Sequence, residues 1–431
     1  MNLQDYRRFD LANGLQVVCA PMPSVRSVSM GLYLRVGSRY EAAEQAGISH
    51  FLEHMVFKGC AGWPTALDIA NEIEGKGGYL NASTGQEFTS FWVRVGARHW
   101  RRSLELLAAM MQHPTLDAEE FEREQSVILD EIAMYRDVPE DYVGQLSNEA
   151  MWGHHPLGRE IAGEPETVEA LTPAALRAYH QRCYRPDGAV LTVAGAIDAD
   201  ELHEAAAGCL GAWTGAGPLP AFLPAPQLEA APRHRLQIRE SEQAHLQLAV
   251  PGLPRDHPDR FSLGVLNALA GDGMSSRLWQ RLREQRGLAY NIGSYVSMFA
   301  DSGSLGVYGG CDAERLFETL DETASVWRDL QDRPAPEAEI QHFKEYMKGR
   351  LELSSEDSSA VAAWWGRQLA AGSPMQTLDQ ILSEIEAVTP ADVQRLAQDL
   401  WQPQQLTLAY VGPLADETAL IHWLTPPPPN H

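Results

Sequence analysis

His50, Glu53 and His54 are the residues with the clearest chemistry in this sequence, standing in the run His50-Phe51-Leu52-Glu53-His54. Read as a helix, positions 50 and 54 share one face, a single turn apart. Two imidazoles at that spacing can hold one metal ion without distorting the backbone. Glu53 lies beside His54 and three residues after His50, where its carboxylate can meet a water on that metal. A catalytic zinc usually takes three protein ligands and leaves a fourth position to water, so one more ligand is required elsewhere.

The segment 120–132 contains a candidate. Phe121, Val127, Ile128 and Ile132 are the apolar positions of an expected helix, and Glu124 and Glu131, seven residues apart, share a face. The order His-x-x-Glu-His is the inverzincin motif. Here the chain resembles the pitrilysin/insulinase-type zinc metallopeptidases, and most closely their small bacterial-type members similar to mitochondrial processing peptidase. In that family the motif is followed after 76 intervening residues by a glutamate ligand. Residues 55 to 130 number 76 (130 − 54), and Glu131 comes next. A second family glutamate, seven residues before the ligand, matches Glu124. The resemblance implies one Zn²⁺ per chain held by His50, His54 and Glu131, with Glu53 as general base and Glu124 orienting the ligands. The implied activity is that of a zinc metalloendopeptidase acting on peptides or unfolded segments.

Taken singly, these residues read differently. One histidine on a partly apolar helix is ordinarily a core or surface residue, and a Glu-rich helix face is ordinarily solvated. The set of four in this spacing reverses the balance. The competing class is a non-catalytic core or scaffold subunit of the same family, or a subunit that needs a partner to process its substrate. An eroded motif marks the scaffold, and here His50, Glu53, His54 and Glu131 are all present.

At 431 residues the chain is long for one core and suggests two domains. Its 34 basic against 58 acidic residues, a net charge of −24, argue against nucleic acid or an anionic membrane as partner. The run Met1 to Phe9 has neither a signal-peptide core nor a transit pattern, and no run is apolar enough to span a bilayer. Cys19, Cys60, Cys183, Cys209 and Cys311 are scattered, odd in number and without a Cys-x-x-Cys pair, which points to a reduced, cytoplasmic setting. Cys60 has no assigned role. Pro426 to Pro429 reads as an extended, disordered tail.

Strand patterns cover 15–20 and 27–36, the second alternating as a strand with one buried face does. Ser49 is a candidate cap for the helix that carries the histidines. A second helix is expected over 65–74, ended by Gly75, Gly77 and Gly78. Next comes Tyr79-Leu80-Asn81-Ala82-Ser83-Thr84, then a strand over 88–95, a helix over 99–112 and the Glu131 helix. The resemblance makes the Asn81-Ala82 segment an edge strand near the metal, to which a peptide substrate adds as an extra strand through its backbone groups. Without it, these residues read as a turn into a buried strand. The adjacent pair His154 and His155 lies in a loop and reads as structural.

An internal repeat sets the architecture. Thr172-Pro173-Ala174 leads through a helix to Tyr184-Arg185-Pro186 and then to an apolar run ending at Gly195. Thr389-Pro390-Ala391 leads in the same way past Trp401-Gln402-Pro403 to Gly412. Thr and Gly stand 23 apart in both copies (195 − 172, 412 − 389), and the copies are offset by 217 (389 − 172). An offset of half the chain marks duplication of a whole domain rather than a short repeat. The expected division is 1–214 for the zinc-binding half, a Pro/Ala/Gly-rich linker over 215–232, and a homologous inactive half over 233–431. The expected fold is α+β, each half a largely antiparallel sheet with helices packed on one face. The family resemblance adds that the two halves enclose a chamber.

In the second half the helix corresponding to the motif, 263–270, has no histidine, and Lys344, Lys348 and Arg350 occupy the counterpart of the Glu131 region. Arg283 and Tyr290, seven apart, resemble the family's substrate-binding Arg/Tyr pair. Arg can donate to a peptide carbonyl and Tyr to an oxyanion. On their own they would read as a solvated basic helix and a core tyrosine. Family members of this length work as dimers, and because one chain carries both motifs a homodimer is expected.

Overall fold

A computed structural model of the chain describes residues 6–215, 217–413 and 417–425. The proline run 426–429 and the first five residues lie outside them. The chain forms two compact units, each assembled from separated stretches. One comprises 1–133, 160–223 and 351–378; the other comprises 134–159, 224–350 and 379–431.

The first unit is built on a six-stranded sheet. Its strands are β1 Arg7–Asp10, β2 Gln16–Pro21, β3 Ser27–Leu34, β4 Tyr79–Thr84, β5 Thr89–Gly96 and β6 Ala189–Gly195, in the order β1-β2-β6-β3-β5-β4. All neighbours are antiparallel except β2 and β6. The second unit has β7 Arg233–Ile238, β8 Ala244–Pro251, β9 Ala289–Met298, β10 Gly303–Cys311 and β11 Thr407–Gly412. Their order is β7-β11-β8-β10-β9, with β7 and β11 as the one parallel pair. This repeats β2-β6-β3-β5-β4 strand for strand. The Thr-to-Gly repeat falls on equivalent elements: Thr172 and Thr389 each cap a helix with their side chains, and Gly195 and Gly412 end β6 and β11.

In the first unit the main helical layer covers one sheet face. Phe51, Leu52 and Met55 of the Ile48–Val56 helix and Leu104 and Leu107 of Trp100–Gln112 pack with Met30, Leu32, Phe91 and Val93. The other face is not left to solvent. The Ser358–Ala370 helix lays Val361, Ala362 and Trp365 on Val18, Ala20, Tyr33, Val190 and Ala194. Each large side chain buried there contributes about 1.5–3 kcal/mol. Polar bonds fix the register, Ser29 Oγ to Ser358 Oγ at 2.8 Å and Thr192 Oγ1 donating to the Ala362 carbonyl at 2.8 Å. A Cβ on Gly366 would stand 2.0 Å from the Tyr33 ring, so this helix can lie close only with glycine there.

The alternation expected for β3, one buried face, is therefore corrected: nearly the whole strand is buried, because this helix covers its second face. In the second unit Pro139–Trp152 plays the same part, setting Val143 and Leu146 on Ala409 and Val411. The compact units accordingly do not follow the contiguous division 1–214, 215–232 and 233–431. Residues from each half of the sequence cover a sheet made by the other half. Among the described residues no helix is long and apolar enough to cross a membrane.

Candidate metal centre

The Ile48–Val56 helix starts where its backbone turns through Gly47, at φ +93°. A Cβ there would meet the Ala162 carbonyl oxygen at 2.4 Å, so both the conformation and the contact require glycine. Ser49 is not the cap. The buried Glu41 carboxylate accepts from Gly47 N at 2.9 Å and Ser49 N at 2.8 Å, filling the role expected of Ser49. The Ser49 hydroxyl instead bonds Tyr179 Oη at 2.7 Å. Phe51, Leu52, Met55 and Val56 are buried, which leaves the face bearing His50, Glu53 and His54 outside the core.

The expected 120–132 helix extends over Ala118–Asp137 and is pinned by buried Phe121, Ile128 and Ile132. Phe121 stacks on Phe51 with centroids 4.4 Å apart, fixing one helix against the other. Val127, expected among the apolar packing positions, is 48% exposed. This packing brings Glu131 to the two histidines. His50 Nε2 lies 3.9 Å from Glu131 Oε1 and His54 Nε2 lies 3.6 Å from Glu131 Oε2.

One ligand atom from each of His50, His54 and Glu131 lies within 4.8 Å of the others. Ligands about 2.1 Å from a tetrahedral zinc stand roughly 3.4 Å apart, so the set fits such an ion with small adjustments. The donors, two imidazole nitrogens and a carboxylate, are those of known catalytic zinc sites. Burial, with His54 adding to it, pushes the pKa of His50 down to about 4, which keeps the ring in the neutral form that ligates metals.

Glu124 is buried and reaches both His54 and Lys58: Oε2 is 3.1 Å from His54 Nδ1 and Oε1 is 2.5 Å from Lys58 Nζ. Burial raises its pKa, but the hydrogen bonds from His54 and Lys58 outweigh that and hold it below the ordinary glutamate value. An ionised Glu124 on Nδ1 leaves His54 Nε2 facing Glu131 as an acceptor.

Glu53 points to the end of β4, where the Thr84 hydroxyl donates to its Oε2. Burial lifts the pKa of Glu53 above its usual value; Thr84 and His54 pull it down in part, and Glu131 adds to the rise. Sequence reasoning passed over Thr84. Its signal was period two: Leu80, Ala82 and Thr84 take one face of the strand, and Thr84 reaches the motif helix.

β4 is the terminal strand of its sheet, so the Asn81-Ala82 segment has one backbone edge unpaired within it. Asn81 is exposed, with Oδ1 2.8 Å from Ala82 N. On the opposite sheet face from Glu53, a cavity of about 570 Å³ is lined by Tyr33, Ser83, Phe88, Ser90, Trp92 and Arg367 among others.

Arg283 and Tyr290 lie together on the second unit, at the π-helical segment Trp279–Gln285 and the start of β9. The Arg283 guanidinium carbon is 4.1 Å from the Trp279 ring centroid and 5.0 Å from that of Tyr290. Tyr290 is 74% exposed, which a core tyrosine would not be. In the counterpart of the Glu131 helix, Glu337–Ser354, Lys344 is buried with Nζ donating to the Glu386 carbonyl at 2.8 Å. Cys60 is buried, its thiol pushed up to about 11 by burial, and its backbone bridges Trp63 and Pro114. His155 caps the short turn Pro156–Gly158, a structural role.

Comparison with known proteins identifies the family. The profile described as Insulinase (Peptidase family M16) matches residues 16–165, and that described as Peptidase M16 inactive domain matches 170–347. The chain is 38% identical over 413 residues to the uncharacterized zinc protease YmxG of Bacillus subtilis, covering 94% of this chain and 98% of that protein. It is 36% identical over 423 residues to an uncharacterized zinc protease of Streptomyces coelicolor, covering 96% and 91%. Among solved structures, a protease from Helicobacter pylori superposes with a TM-score of 0.89 at 23% identity, covering 95% of this chain and 99% of that one, and shares the fold. A Pseudomonas fluorescens structure titled peptidase M16 inactive domain does so at 0.88 and 21% identity, covering 96% and 100%. With its two related sheets and near full-length relatives, the chain belongs to the insulinase family of peptidases, M16.

Proposed function

We propose that this chain is a zinc-dependent endopeptidase that hydrolyses peptides and unfolded segments, with one Zn²⁺ per chain held by His50, His54 and Glu131. The observation that carries the proposal is the convergence of those three side chains within 4.8 Å, with Glu53 on the same helix. The names of the relatives, zinc proteases, support the choice of metal. When bound, the ion supplies Lewis acidity, polarising a carbonyl and making water a stronger nucleophile.

Glu53 takes a proton from the water as its oxygen attacks the carbonyl carbon, and delivers that proton to the leaving nitrogen as the C–N bond breaks. Glu124 holds His54 in the required tautomer through the 3.1 Å contact to Nδ1. Asn81 and Ala82 receive the extended substrate on the free edge of β4, which accepts backbone with little regard to sequence. An added strand would alternate its side chains between the Glu53 side and the cavity beside Ser83. Arg283 and Tyr290 are proposed as peptide-binding residues, a reading that the exposure of Tyr290 supports.

The working form is proposed to be a homodimer in the cytoplasm, with neither nucleic acid nor membrane as partner. Five cysteines without disulfides suit a reducing compartment. Equilibrium ultracentrifugation that finds an active monomer would remove the dimer. The alternatives, a non-catalytic scaffold or a partner-dependent processing subunit, predict no cleavage by the purified chain. Chelation followed by zinc addition tests the main reading: cleavage of a quenched fluorescent peptide should disappear and return, with one zinc bound per chain.

A further inference from the structure

We propose that Thr84 is a positioning residue for Glu53: its hydroxyl clamps one carboxylate oxygen and so aims the other at the reacting water. The proposal rests on the reading of Glu53 as the proton carrier. The geometry that carries it begins with the hydrogen bond itself, in which Thr84 Oγ1 donates to Glu53 Oε2. A glutamate side chain has three rotatable bonds, and an unclamped carboxylate samples several rotamers. Holding Oε2, together with a backbone hydrogen bond from the same Thr84, restricts the direction in which the carboxylate can face.

The clamp is itself anchored. Thr84 ends β4, paired with Thr89, and Thr89 Oγ1 donates to the Val36 carbonyl at 3.0 Å. The turn after Thr84 closes with Gly85 N donating to the Phe88 carbonyl at 2.9 Å. Its outer side is bound to the 37–39 segment: Ser38 N donates to Gly85 O at 3.1 Å and Arg39 N to Gln86 O at 2.9 Å. A Cβ on Gly37 would stand 2.1 Å from Gly85 O, so this approach is open only to glycine. Beneath the turn the wholly buried Arg39 guanidinium pairs with Glu87 at 2.7 Å. An exposed turn joining an edge strand would ordinarily be mobile. Here a buried ion pair and two backbone bonds hold it, and their effect is to fix the hydroxyl that meets Glu53.

The same strand carries the free edge at Asn81 and Ala82. A peptide seated on β4 and the carboxylate that serves it are therefore both referenced to one short rigid element. This is the kind of preorganisation on which proton-transfer geometry depends.

The test compares wild type, Thr84→Ser, Thr84→Val and Thr84→Ala on a fluorogenic peptide, with zinc content measured on each. Removing the hydroxyl in T84V and T84A should lower kcat about 10- to 100-fold, the worth of a hydrogen bond to a charged group. KM should stay within about threefold and zinc content should be unchanged. T84S, which keeps the hydroxyl, should retain most of the wild-type kcat. T84V or T84A at wild-type kcat overturns the proposal, as does T84S losing as much as T84V, since that would assign the effect to the methyl group.

A second readout does not depend on turnover. In the metal-free chain, the denaturation midpoints of wild type, E53A, T84V and the double variant form a cycle whose effects should be non-additive, because each single change removes one partner of the bond. Additive shifts overturn the clamp. A wild type that cleaves nothing would sink the peptidase reading, while this cycle would still decide whether Thr84 holds Glu53.

Discussion

Glu124 Oε2 lies 3.1 Å from His54 Nδ1, and this contact decides which nitrogen of His54 is free to face Glu131. The other Glu124 oxygen is held by Lys58, so the carboxylate cannot swing away without breaking a second charged contact.

Replacing Glu124 by alanine should weaken zinc binding about 10- to 100-fold while the chain stays folded, because a ligand-orienting carboxylate is worth that much. Competition with a chromogenic chelator measures it. An unchanged affinity would make Glu124 merely a partner for Lys58.

Tyr290→Phe removes only a hydroxyl from a side chain that is 74% exposed. If that hydroxyl donates to the oxyanion formed at the scissile carbon, kcat should fall by about 100-fold with zinc content unchanged. Steady-state kinetics at saturating peptide checks this. A change confined to KM would restrict Tyr290 to ground-state binding.

Gly47→Ala should destabilise the first unit by about 1–3 kcal/mol from backbone strain alone, since Gly47 sits at φ +93°. The added Cβ, 2.4 Å from Ala162 O, should raise that cost. Urea denaturation followed by tryptophan fluorescence gives the value, and a midpoint equal to wild type would contradict the stated geometry.

Acid should loosen the Ser358–Ala370 helix through Asp357. This residue caps it by accepting from Ser359 N at 2.8 Å and Ala360 N at 3.0 Å, and pairs with Arg94 at 2.7 Å. Burial raises its pKa, but the backbone bonds and Arg94 together hold it below the ordinary aspartate value. A depressed folded-state pKa stabilises fully above the unfolded value, and that contribution is lost as pH falls below about 4 through the folded pKa. Asp357→Asn should therefore lower the melting temperature at neutral pH and flatten its fall in acid. A parallel acid profile in both proteins would exclude Asp357 as the titrating group.

Much of the candidate metal centre was legible in the sequence because its signals are helical and local. The spacing of His50, Glu53 and His54 fixes a shared face, and the seven-residue interval of Glu124 and Glu131 fixes another. The Thr172 and Thr389 repeats located β6 and β11 because each cap, helix and strand is specified within a few residues. What escaped is long-range. Glu41 caps the motif helix from a separate turn, and Thr84 meets Glu53 only once β4 has paired. The assignment of 134–159 and 351–378 to opposite units follows from each sheet's need to bury a second face. No local pattern records that need, although the run of β6, apolar but for Thr192, hints at it.

The central claim is that Glu53 moves the proton beside a metal it does not hold, and Glu53→Gln tests it most directly. Wild type and variant should bind zinc alike, and the variant should lose peptide cleavage by about a hundredfold or more. A variant that binds zinc and cleaves at the wild-type rate would contradict the account.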